Sequence, residues 1–288
     1  MTPLSAFLLT LSVVLSSSRN IISKKNAVTV GEKVDFYFSQ TVLFFSALLV
    51  IIFTNITALQ VTSYITILYG LVYGIMLIGA QWMLSLSLKT GNASVCSVVY
   101  SLGFIIPTVS GALLFYEDFS TLKGIGLVLA VAVIFLSANK DNSDSQNKDN
   151  KFIVFLLIAM FSSGGLGLMQ KIQQLSPVAD ERGGFLTIAF ILATAVSFIF
   201  YLKQKSKPTL TLKDNCYTSA IGVCFGGANV LNTVLAGMVE SAILFPVLNV
   251  STILLCLVLS IILFKEKLTI KKSAVIILSV LTVLTFSF

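Results

Sequence analysis

The chain has 288 residues, 56% of them hydrophobic and 11% charged, with a mean hydropathy of +0.97 and a formal net charge of +7. A soluble domain carries roughly a quarter charged residues, so this composition excludes a water-soluble fold; apolar material in long runs finds its solvent in lipid. No histidine is present, which removes His-based triads, HExxH zinc chemistry and imidazole proton relays.

A helix crosses the hydrocarbon core in about 20 residues. On that ruler the chain divides into apolar runs at 3–24, 34–53, 63–88, 91–115 and 120–138. A polar segment follows, Asn139 to Lys151, reading NKDNSDSQNKDNK. Five more runs occupy 151–175, 184–202, 215–238, 240–264 and 269–287. The start, Met1-Thr2-Pro3-Leu4, has no basic n-region, so the first run is read as a retained helix. The predicted fold is an all-α integral membrane protein with ten transmembrane helices. The predicted organisation is a first half at 1–138, a linker at 139–150 and a second half at 151–288.

The halves answer one another. Leu114-Phe115-Tyr116-Glu117-Asp118-Phe119-Ser120 is matched by Leu263-Phe264-Lys265-Glu266-Lys267-Leu268-Thr269. Leu15-Ser16-Ser17-Ser18 is matched by Phe161-Ser162-Ser163-Gly164. Five helices per half turn the second half upside down, which predicts an inverted repeat with a solute site where the halves meet. Ser120 and Thr269 are expected to cap the fifth and tenth helices. Glu117 and Glu266 fall just before them, at the interface, where a carboxylate stays solvated or pairs with a lysine; both are read as structural.

These motifs resemble the drug/metabolite transporter superfamily, in particular its EamA-type members. The family pattern ends the fourth and ninth helices with an apolar run, a glutamate, a hydrophobic residue and Ser or Thr before the next helix; Phe115 to Ser120 and Phe264 to Thr269 follow it. Leu86 to Ser94 also resembles the family's link between the third and fourth helices. Where the family often has glycine before the glutamate, this chain has Tyr116 and Lys265. The resemblance implies ten helices around a central cavity and transport by alternating access, and it leaves the cargo unnamed.

The lysines sit in loops beside apolar runs, where they orient helices and meet anionic lipid; a nucleic-acid partner is not expected. The loops after the odd-numbered helices hold fifteen positive residues, and those after the even-numbered ones hold three, Lys123, Lys171 and Arg182. The bias predicts a multi-pass protein of the cell membrane with both termini outside the cytoplasm, whereas the resemblance implies both termini inside.

Candidate solute-binding residues are polar or aromatic groups at depth. Arg19, beside Asn20, lies about 9 Å of helix before Lys25; it either holds an anionic group such as a carboxylate or snorkels to the interface. Tyr69 and Tyr73 share a helix face, and Tyr100 lies in the fourth run with Gly103 and Pro107, which could bend it. These rings either line a cavity or pack between helices. Ser162, Asn229, Asn232 and Asn249 need partners in hydrocarbon, either a solute or another helix. Gly103 to Gly111 is the stretch read as able to pack closely.

No acid falls mid-run, which predicts facilitated or exchange-driven transport, or coupling through an interfacial carboxylate such as Glu240. The four cysteines form no CxxC pair, and no metal or cofactor is predicted. The expected function is secondary transport of a small polar metabolite, with an amino-acid-like solute slightly favoured. The alternatives are export of cationic or amphiphilic compounds and, in another class, a channel or structural membrane protein. An enzyme is not expected.

Overall fold

The computed structural model describes residues 2–30, 36–55, 63–90, 93–137, 150–204, 212–264 and 269–286. The linker at 139–149 and the Lys265–Leu268 segment with Glu266 lie outside the described residues. All regular structure among the described residues is helical, as lipid requires: a spanning segment must satisfy its own backbone, and a helix does so internally.

The elements follow the apolar runs closely. They are α1 (Pro3–Val30), α2 (Phe36–Thr54), α3 (Tyr64–Thr90), α4 (Ala93–Leu102), α5 (Ile105–Leu114) and α6 (Thr121–Ser137). After them come α7 (Asn150–Leu175), α8 (Arg182–Lys203), α9 (Leu212–Met238), α10 (Ser241–Phe264) and α11 (Ile270–Thr285). Eight spans among the described residues are long and apolar enough to cross a membrane, with α4 and α5 counted together as Val95–Leu114. The fifth and tenth runs give shorter helices, 17 residues in α6 and 16 in α11. Large apolar side chains such as Phe53, Leu113 and Val128 stand exposed on these helices, as lipid-facing residues do.

Three local features follow from single residues. Pro107 has no N–H and crowds the carbonyl of Gly103, so the fourth run breaks there. Gly103 O accepts instead from Ile106 N at 3.1 Å, and the helix restarts as α5. Ser120 Oγ accepts from Lys123 N and Thr269 Oγ1 from Lys272 N, each at 3.3 Å, so both expected caps are made. Tyr116, just past α5, has φ 53°; this is the left-handed region where glycine is preferred.

The described residues form two compact units, each with helices from both sequence halves. Unit one is Met1–Ile75 and Gln173–Leu235; unit two is Met76–Ile172 and Ala236–Phe288. In unit one α2 lies along α8, with Phe44, Phe190 and Phe225 meeting edge to face at 5.7 and 6.2 Å. Small residues set its close approaches, because lipid is as apolar as leucine and association depends on contact. Gly70 and Gly74 of α3 lie against Phe185, Ile188 and Ala189 of α8, and Gly222 and Gly226 of α9 against Leu43 and Ala47 of α2. Both are GxxxG spacings, so close approach is not confined to Gly103 and Gly111.

In unit two α10 contacts α5, α6 and α11, and α6 runs along α11. Gly103 and Gly164 bring α4–α5 and α7 together: a Cβ on Gly164 would fall 2.5 Å from Gly103 O.

Candidate functional site

In unit one the polar residues of α1, α3 and α9 are arranged along one face of α9. Phe225, Asn229 and Asn232 lie three or four residues apart, so they share that face. Asn229 is fixed twice: its amide nitrogen donates to Phe225 O at 2.8 Å, and its Oδ1 accepts from the Tyr73 hydroxyl at 2.6 Å. Tyr73 is fully buried, with its ring edge-on to Phe185 at 4.9 Å. One turn along, Asn232 Oδ1 accepts from the Ser12 hydroxyl at 2.5 Å. In the other direction the Arg19 guanidinium stands 4.2 Å from the centre of the Phe225 ring, a cation–π geometry. Arg19 is half-buried, so α1 presents a permanent positive charge on the same face of α9 as the Tyr73–Asn229 pair.

The structure therefore brings Arg19, Tyr73, Asn229 and Asn232 together within unit one. Asn20 is exposed on α1, and Tyr69 is half-buried one turn before Tyr73. Tyr100, Ser162 and Asn249 belong to unit two. Ser162 faces Gly79, where an added Cβ would lie 2.7 Å from its Oγ. Asn249 donates to Phe245 O at 3.0 Å, one turn back on its own helix, and Tyr100 is half-buried on α4. A surface groove beside α6 is lined by Phe119, Thr121, Ile125 and Val128 and includes none of the predicted residues.

Unit two holds a second polar centre. Lys171, within the 151–175 run but counted with the loop after it in the charge bias, is inside α7 and buried. Its ammonium lies 2.7 Å from Glu117 Oε1 and donates to Val239 O at 3.0 Å. Glu117 Oε2 accepts from Ser241 N at 2.7 Å and Ala242 N at 3.3 Å, the first two residues of α10. The first turn of a helix has unmatched N–H groups and the positive end of the dipole, so a carboxylate from the α5–α6 turn serves as its cap. Of the two states open to Glu117 in sequence, solvated or paired, the structure shows the pair. Above it Glu240 forms an ion pair with Lys123, and Lys123 also donates to Asp118 O at 2.5 Å. Gly111 makes room for this arrangement, since a Cβ there would collide with Glu117 Oε2.

The repeat gives Lys171 a counterpart in sequence but not its burial. The serine anchors Ser16 and Ser162 are 146 positions apart, and so are Lys25 and Lys171. In α1 that position is an exposed lysine near the end of the span; in α7 it is buried.

No protein-family model matches this chain, and no curated protein matches it. Among solved structures 28 chains match. One of them, a protein crystal structure, superposes with a TM-score of 0.79 at 12% identity, over 99% of this chain and 96% of its own. At that identity the likeness is one of fold.

Proposed function

We propose that this chain is a secondary transporter that carries a small polar solute, amino-acid-like in its carboxylate, across the cell membrane by alternating access. Arg19 carries the reading. It is an always-charged group within an apolar span, half-buried against Phe225 beside the Tyr73–Asn229 and Ser12–Asn232 bonds. Ionisable groups inside spans are costly and mark solute pathways, and a guanidinium holds a carboxylate through two parallel hydrogen bonds. The organisation belonging to this proposal is two inverted five-helix repeats, 1–138 and 151–288, with the lysine-rich loops cytoplasmic and both termini outside.

The test is a thermal-shift screen of purified protein against pooled amino acids, other small anions and organic cations, repeated with Arg19→Ala. A native-state ligand stabilises by mass action, about 2.7 kcal/mol at a hundred times its Kd. Stabilisation by a carboxylate that is lost in Arg19→Ala supports the reading. Stabilisation by amphiphilic cations alone, unchanged in Arg19→Ala, favours export of such compounds, a second reading to which the Phe225 ring, already set against a cation, lends support. Single-channel conductance from reconstituted protein would replace both with a channel.

A further inference from the structure

The Glu117–Lys171 centre uses none of the residues assigned above to solute binding. It joins three pieces of chain at one point: the α5–α6 turn through Glu117, the last turns of α7 through Lys171, and the α9–α10 turn through Val239, Ser241 and Ala242. Two rungs cross from the α5–α6 turn and the first turn of α6 to the α9–α10 turn and the start of α10. The inner rung is Glu117 on the first turn of α10, held from the side by Lys171, with Glu117 9% and Lys171 7% exposed in their side chains. The outer rung is Lys123 to Glu240, partly open to solvent.

We infer that these two rungs form a staple that stays closed throughout the transport cycle, making Glu117 and Lys171 positioning residues that hold the start of α10 on α5 and α7. The inference rests on the transport reading above. The reason is the number of bonds that must break together. Opening the inner rung breaks the Lys171–Glu117 ion pair, the Lys171 bond to Val239 O and the bonds from Ser241 N and Ala242 N to Glu117, and a partial opening leaves a charge or a helix N–H buried without its partner. All the groups lie inside one compact unit, so the groups that would separate are those already packed together. Unit two's candidate solute residues Ser162 and Asn249 ride on α7 and α10, the two helices the staple fixes.

The decisive experiment locks the outer rung and leaves the inner one intact. In a background with Cys96, Cys216, Cys224 and Cys256 replaced by serine, Lys123→Cys/Glu240→Cys is joined by a short bifunctional methanethiosulfonate. Uptake of the solute found in the thermal screen is then measured in proteoliposomes before linking, after linking and after reduction. A closed staple predicts a linked rate within about twofold of the unlinked one. A linked rate tenfold or more lower, restored by reduction, overturns the inference, because the rung then has to open. If neither wild type nor the unlinked variant carries any solute, the transport reading is what fails. The staple is then judged by amide hydrogen exchange of the α9–α10 peptide: protection at Ser241 and Ala242 as slow as in the core of α10 supports it, and exchange as fast as in the loops overturns it. Glu117→Gln keeps the shape and one acceptor oxygen; it is expected to retain that protection in part, whereas Glu117→Ala loses it.

Discussion

Tyr73 donates its hydroxyl hydrogen to Asn229 Oδ1 at 2.6 Å and so ties α3 to α9 inside unit one. Hydrogen bonds between helices in a membrane protein contribute about 0.6 kcal/mol on average and up to about 1.7. Tyr73→Phe keeps the ring against Phe185 and removes only this bond. Stability by reversible unfolding in mixed micelles should fall by about 1 kcal/mol, while Tyr73→Ala, which also empties a fully buried site, should cost about 3 kcal/mol or more.

Lys171→Met should be far more damaging than a typical charge removal. It leaves Glu117 buried without its cation, and breaking a buried pair in this way costs about 3–5 kcal/mol. Lys171→Met/Glu117→Gln removes both charges and should recover more than half of the loss. A double mutant no more stable than Lys171→Met alone would mean that the charges are not coupled. Lys123→Ala, on the outer rung that is partly open to solvent, should cost less, about 1 kcal/mol.

Tyr116→Gly should stabilise the protein. A tyrosine at φ 53° is strained by about 1–2 kcal/mol, and a ring 91% exposed gives up little by leaving. Part of the gain is lost to the freedom of glycine in the unfolded chain, so the net expectation is about 1 kcal/mol, visible as a higher Tm. A lower Tm would show that the Tyr116 ring makes a contact in the bilayer interface worth more than the backbone strain.

Glycines on α6 and α7 should respond in opposite directions to the same change. At Gly124 an added Cβ meets only Phe119 Cε1, at 3.7 Å, so Gly124→Ala gains helix propensity of up to about 1 kcal/mol. At Gly164 it lies 2.5 Å from Gly103 O and 2.8 Å from Ile106 Cβ. Gly164→Ala must push α7 away from the α4–α5 break, at a cost of about 1–3 kcal/mol. Unfolding measurements on the two variants side by side check both signs.

The helices were legible because lipid imposes a single rule on every span, and uninterrupted apolar runs such as 36–54 and 241–264 obey it. Caps at Ser120 and Thr269 were also legible, since each depends on residues within one turn; at Gly103 and Pro107 the sequence allowed a bend in one helix, and the structure has a break between two. Pairing between distant segments was not. Nothing near Lys171 distinguishes a loop lysine from a buried one, and what decides the matter is a carboxylate on another turn and a carbonyl at Val239. The same holds for Asn229, whose two possible partners, solute or helix, look alike in sequence; the structure gives it Tyr73. Asn20 and Tyr100 illustrate the converse: both were picked by depth in a run, and the structure leaves Asn20 exposed on α1 and places Tyr100 in unit two.

The capping of α10 by Glu117 has a consequence for synthesis. Chains emerge from the ribosome N-terminal part first, so the carboxylate that completes the first turn of α10 is in place before Ser241 exists. A fragment beginning after the linker would have to insert α10 with its leading amides uncapped and with Lys171 lacking its acid. The later half is thus born onto a template made by the earlier one. The two pieces expressed separately should depend on each other for survival in the membrane, with the later one degraded unless the earlier one is present.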